Sequence, residues 1–262
     1  MTLTAALKLH LRVFEIHGRT LRVVTLRPQC GVRFSTNYFH DTWHLLAGPD
    51  GAVLLGRLLW GLAFQRHPGT MVLIDAPHIV TTPFEGDRAD PILLIPDGLT
   101  AVDDDALRAL KLRLRRAPGA PTTIRWHTFG MAGALGREDT RHWRWWIHER
   151  NDPKWTRERM SRRAGFVCYT APASVLREHG LGIHGTTRDG YYPMAEHRRA
   201  SHRHYDGEFQ PIPGFYARVS AARLARRELF PDEHGLLAEH AERGAVYRRV
   251  DEVLARRAAA RR

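Results

Sequence analysis

The sequence predicts an α/β protein: a mixed, largely parallel sheet flanked by helices, with an N-terminal β-hairpin and a helical C-terminus. Three observations carry that prediction. Met71-Val72-Leu73-Ile74 and Ile92-Leu93-Leu94-Ile95 are short apolar runs bounded by Pro and Gly, as expected of strands buried on both faces. Strand-like and helix-like segments alternate along the chain, which is the signature of layered α/β domains. The apolar content of 43%, with ten Phe, seven Tyr and seven Trp, supplies a core. A chain of this length buries roughly three quarters of its unfolded surface, so global disorder is excluded.

Taken in order, Leu9 to Arg27 reads as a hairpin at the sheet edge. Val13, Ile16, Leu21, Val23 and Leu26 are strand formers around a His17-Gly18-Arg19 turn. An irregular stretch follows through Tyr38. Pro49-Asp50-Gly51 then opens a helix to about Arg66 that is apolar on nearly every side except at Arg57, so it should be sandwiched between layers. Its apolar run, Gly51 to Phe64, is shorter than the ~20 residues that cross a bilayer. After the two buried strands, Asp103-Asp104-Asp105 begins a helix bearing Ala106, Leu107, Leu110 and Leu114. It ends in Arg115-Arg116, so the charges complement the helix dipole at both ends. Thr122 to His127 is a further strand, 137–150 and 154–163 are helical, and Gly165 to Thr170 is a strand. Residues 180–214 show no period. Helices return at about 220–229 and 233–258, the latter with a stripe of Val246, Val250, Val253 and Leu254. The expected organisation is an α/β core over 1–179, an irregular His-, Gly- and Arg-rich loop region over 180–214, and a C-terminal helical segment over 215–262 packing on the core.

Two cysteines, Cys30 and Cys168, are too few for a disulfide framework, and Cys168 reads as a buried strand residue. Met1 to Lys8 lacks the basic-then-apolar pattern of a signal peptide, so a cytoplasmic location is expected. The net charge is +12, with 40 basic and 28 acidic residues. Residues 1–100 contribute +1 and residues 101–262 contribute +11. That asymmetry points to an anionic partner for the second part, nucleic acid first among polyanions.

Four constellations carry candidate chemistry. If 71–74, 92–95 and 122–127 are parallel strands, their C-terminal ends bring Asp75, Asp97 and His127 to one sheet edge. There they would serve as catalytic acid and base, or as ligands of a divalent metal ion in phosphodiester chemistry. The competing reading is that each Asp simply caps a turn. His40 and His44, four apart, would share a helix face as zinc ligands do, but no third ligand is evident. His184, His197, His202 and His204 cluster in the loop region, where Arg198, Arg199 and Arg203 favour an anion over a cation. Finally, Arg141, Trp145 and His148 would share one helical face, with Arg144 and Arg150 on the same segment, a combination of basic groups and an aromatic used to stack bases beside phosphates. Nucleic-acid or polyanion binding through the C-terminal half is therefore the leading expectation. An enzyme acting on a small phosphorylated or acidic metabolite, with Arg57 and the His-rich loop lining its pocket, is the alternative. A third reading is a partner-binding protein that docks through its C-terminal helix.

Overall fold

The computed structural model describes residues 6–116, 121–136, 153–186, 190–199, 202–231 and 240–260. The chain is α/β, and among the described residues its strands form two sheets. The first has the order β7-β1-β2-β5-β6-β9-β8, built from β1 (Ala6–Ile16), β2 (Arg19–Thr25), β5 (Thr70–Ile74), β6 (Ile92–Pro96), β7 (Thr122–His127), β8 (Arg159–Arg163) and β9 (Phe166–Ala171). The second has the order β10-β11-β4-β3, from β3 (Phe34–Phe39), β4 (Thr42–Ala47), β10 (Tyr192–Arg199) and β11 (His202–Pro211). Helices are α1 (Pro49–Ala63), α2 (Asp104–Arg116), α3 (Met131–Leu135), α4 (Ala173–Gly185), α5 (Phe215–Leu229) and α6 (His240–Ala259).

The first sheet is mixed. Of its six pairings, β2 with β5 and β6 with β9 are parallel. The two apolar runs do not pair as a parallel couple: β5 and β6 are antiparallel, with Val72 opposite Leu94 and Ile74 opposite Ile92. The N-terminal hairpin forms with the register Val13 opposite Arg22, but β7 adds to β1 and is itself the edge strand.

Side-chain alternation divides the sheet into two faces. On one, Leu9, Val24, Val72, Ile74, Ile92, Leu94, Trp126, Val167 and Tyr169 join one core cluster with Leu55, Leu58, Leu59 and Leu62 of α1. Leu45, Ala47 and Phe209 of the second sheet complete that cluster, so α1 is sandwiched as its apolar circumference predicts. On the other face, Ile16, Leu21, Val23, Met71, Leu73, Leu93, Ile95, Phe166 and Cys168 pack under Ala106, Leu107 and Leu110 of α2. Cys168 is buried there, and burial pushes its thiol up to about 12.

Three sequence expectations are corrected. The stretch up to Tyr38 ends in a strand, and His40-Asp41 is the turn of the β3–β4 hairpin, with φ of 50° and 58°. Residues 154–163 are a 3-10 turn (Pro153–Arg157) followed by β8, because Ala164-Gly165, with φ of 49° and 76°, closes a second tight hairpin onto β9. Residues 180–214 are not a loop region: they hold the end of α4 and the β10–β11 hairpin. The expected helix at 137–150 lies outside the described residues. α5 and α6 pair through Ala221, Ala222 and Ala225 against Val246, Val250 and Val253. Phe215 and Val219 seat this helical hairpin on Leu46 of β4, and Arg226 forms an ion pair with the buried Asp87.

Candidate nucleic-acid interface

The antiparallel β5–β6 pairing separates the residues proposed as a catalytic or metal-binding trio. Asp75 follows β5 at one edge of the sheet, whereas Asp97 follows β6 at the opposite edge and pairs with Arg157 at 2.5 Å. His127 ends β7 on the same edge as Asp75, but three strands away, or about 14 Å at the usual strand spacing. Among the described residues no group of three or more His, Cys, Asp or Glu is close enough to hold a metal ion. His40 and His44 share no helix. His44 lies on β4, buried at 7% exposure, 3.4 Å from Glu208 of β11.

Burial, and secondarily His40, pushes the His44 pKa down to about 4. An unfolded chain takes up a proton on this ring near pH 6.5 and the folded protein does not, so the His44 contribution to stability falls as pH drops from about 6.5 toward 4. His44→Gln should flatten that decline in urea-unfolding midpoints; an unchanged slope would show that the ring titrates normally.

Arg141, Arg144, Trp145 and Arg150 lie outside the described residues. Arg198, Arg199 and Arg203 fall on the β10–β11 hairpin, where Arg198 stands opposite Arg203 and Arg199 opposite His202 in the register.

The structure brings a different basic group together. β1 alternates strictly: Leu7, Leu9 and Leu11 pack into the α1-side core, so Lys8, His10 and Arg12 project from the other face. β7 does the same, with Ile124 and Trp126 inward and Thr123, Arg125 and His127 outward and exposed. Arg27, just past β2, belongs to the same face. Lys8 stands directly opposite Arg125, and His10 faces Thr123 on one side and Thr25 on the other. α2 covers this face only from Phe14 and Ile16 across to Phe166 and Cys168, leaving Lys8, Thr123, Arg125 and His127 exposed.

At the rim, Phe129 is 66% exposed and its ring stacks on His127, with centroids 4.7 Å apart and planes at 14°. Its backbone is fixed, because the Trp60 indole N–H donates to the Phe129 carbonyl at 3.1 Å.

Several arginines elsewhere are matched to carboxylates: Arg162 to Asp90 at 2.6 Å, Arg163 to Asp104 at 2.7 Å, Arg249 to Glu228 at 2.7 Å and to Glu252 at 2.6 Å. Lys8, Arg12, Arg27 and Arg125 form no ion pair among the described residues. The Nε atoms of Arg12 and Arg27 are buried without a hydrogen-bond partner. Partial burial and the charges of Arg27 and Arg12 lower the His10 pKa. Burial raises the Asp75 carboxyl, against a lowering by Arg12.

Sequence reasoning missed this patch because it counted charge by segment. The strict Leu-Lys-Leu-His-Leu-Arg alternation over Leu7 to Arg12 was the signal available to find it.

A second polar cluster is closed to ligands. His179 donates through Nε2 to the Glu158 carboxylate at 2.6 Å and meets the Tyr192 hydroxyl through Nδ1 at 3.2 Å, and His179 and Glu158 are buried at 0% and 4% exposure. Its role is structural.

Fold and site together define an α/β protein with a half-open sheet face that is basic and rimmed by stacked rings. No family model, no curated protein and no solved structure matches the chain.

Proposed function

We propose that the protein binds single-stranded nucleic acid across the β7-β1-β2 face. The observation that carries this reading is the unpaired cationic cluster. Like charges directly opposite across a strand pair are destabilising, and Lys8 and Arg125 stand so with no carboxylate between them. A phosphate placed there relieves that repulsion through charge-assisted hydrogen bonds. The exposed Phe129 ring beside the patch supplies a surface on which a base stacks, and stacking requires an unpaired strand. The basic face lies in the N-terminal half, so the surface differs from the C-terminal one that charge counting favours.

Fluorescence anisotropy with labelled single- and double-stranded oligonucleotides across a salt series tests the proposal. Four phosphate contacts predict a log Kd against log salt slope of about 3 in magnitude for a single strand. Lys8→Ala with Arg125→Ala should weaken binding at least tenfold, and Phe129→Ala should do so by roughly 5- to 100-fold. Arg108→Ala, an exposed arginine paired with Asp105, should change nothing. Absence of binding at low salt, or full affinity in the Lys8→Ala/Arg125→Ala variant, would overturn it.

A further inference from the structure

A groove also runs along α5 of the C-terminal helical hairpin. Along α5, Tyr216, Val219, Ser220, Arg223, Arg227 and, just beyond, Phe230 recur at helical spacing and share one stripe. The opposite stripe, Ala221, Ala222 and Ala225, is consumed in packing on α6. The Tyr216 stripe, with Val219 buried at its base, and the loop around Val80 and Gly86 line an open groove of about 740 Å³, within the 300–1,000 Å³ typical of small-ligand sites. The loop approaches α5 closely: Gly86 has a φ of 68°, and a Cβ there would sit 3.0 Å from the Ala222 carbonyl oxygen.

The charges lining the groove are not neutralised. Arg226 is held by Asp87. Arg223 donates only to the Thr81 hydroxyl, at 3.1 Å, and Arg257 only to the Ser220 hydroxyl, at 3.2 Å. Arg227 makes no hydrogen bond or ion pair among the described residues. Three guanidinium groups without a carboxylate thus border a floor that includes Val80, Val219 and Phe230. Apolar floor and cationic rim together complement a ligand with both characters.

We propose that this groove binds a small organic anion, with a phosphate or carboxylate head against Arg223, Arg227 and Arg257 and an apolar body on the floor. The groove volume suits a small molecule, and the charges select its head.

Isothermal titration with 1-naphthyl phosphate tests the proposal, with 1-naphthyl acetate-derived 1-naphthol and inorganic phosphate as the separated halves. The intact probe should bind one to one, at least tenfold more tightly than either half, and should raise Tm by mass action. An Arg223→Ala/Arg227→Ala variant, which alters two exposed side chains, should keep its circular dichroism spectrum and lose tenfold or more in affinity. Parallel titration with 1-naphthoate shows whether phosphate or carboxylate is preferred. Binding no tighter than inorganic phosphate, or unchanged in the double variant, would overturn the assignment. So would sedimentation with phosphatidylglycerol vesicles that the double variant abolishes, in a protein that ignores 1-naphthyl phosphate. The sheet-face variant Lys8→Ala/Arg125→Ala should bind the probe normally, which keeps the two sites distinguishable.

Discussion

Replacing Glu158 with alanine should lower the stability of the fold by about 3–5 kcal/mol, the usual result of removing one partner from a buried charged pair. Its carboxylate lies where four elements converge. It accepts from the Tyr169 hydroxyl of β9 at 2.7 Å and pairs with His179 of α4 at 2.6 Å. His179 in turn meets the Tyr192 hydroxyl of β10 at 3.2 Å, and Trp155 packs edge-on to its ring. Without the carboxylate, the His179 Nε2 and the Tyr169 hydroxyl lose the acceptor they share while both residues remain at 0% exposure. Measured by thermal unfolding, the change should be a fall in Tm of roughly 10 °C. Glu158→Gln keeps an acceptor in place and should lose less.

The pH dependence separates charge from shape. Burial by itself raises the Glu158 carboxyl, but His179, by charge and hydrogen bond, together with the Ala195 N–H and the Tyr169 hydroxyl, holds it below the usual carboxylate range. A depressed folded value stabilises the protein above the unfolded pKa, and that contribution disappears as pH falls through the folded value. The gap between wild type and Glu158→Gln in urea-unfolding free energy should therefore be largest near neutrality and shrink well below about pH 4. A gap that stays constant with pH would assign the loss to packing, and a Glu158→Ala protein as stable as wild type would dismiss the network altogether.

What could be read from the sequence depended on whether a segment carried directional information. α2 announces itself, because acidic residues at Asp104 and Asp105 and basic ones at Arg115 and Arg116 mark its two ends. β5 and β6 announce only their burial. A fully apolar run looks the same in either direction, so their relative sense was open, and with it the position of Asp97. The connection held the answer: a parallel crossover needs a dozen or more residues, usually a helix, and Asp75 to Pro91 contains none. The β10–β11 hairpin escaped for the opposite reason. Its strands, with Arg198, Arg199, His202 and Arg203, carry no apolar alternation, and pairing to β4 through Phe209 opposite Leu45 comes from far away in the chain. Charge behaved similarly. A count by segment says nothing of pairing: Arg163, Arg218 and Arg249 meet Asp104, Asp251 and Glu228, while Lys8 and Arg125, more than a hundred residues apart in the chain, come to stand opposite one another on β1 and β7.

Introducing a side chain at Gly56 should destabilise the protein even though it improves helix propensity. α1 and α4 cross with their backbones in contact: a Cβ at Gly56 would sit 2.5 Å from the Gly180 carbonyl oxygen and 2.9 Å from the His184 backbone nitrogen. From the other side, a Cβ at Gly180 would sit 3.0 Å from the Gly56 carbonyl oxygen and from the Trp60 nitrogen. These neighbours are main chain and cannot rotate away, so the helices must separate. Separation disturbs Leu55, Leu58 and Leu59 in the central cluster on one side and Val175, Leu176 and Ile183 on the other. Alanine gains up to about 1 kcal/mol over glycine inside a helix, while overpacking a filled core costs typically 1–3 kcal/mol. Gly56→Ala should therefore be destabilising, and Gly56→Leu should prevent the two helices from docking. Gly244 of α6 provides the opposite sign, since a Cβ there meets only the Arg248 guanidinium at 3.5 Å. Gly244→Ala should stabilise by roughly 0.5–1 kcal/mol. If urea unfolding instead gave both alanine variants the same gain, helix propensity would be in command and the α1–α4 crossing would have slack that its backbone contacts deny.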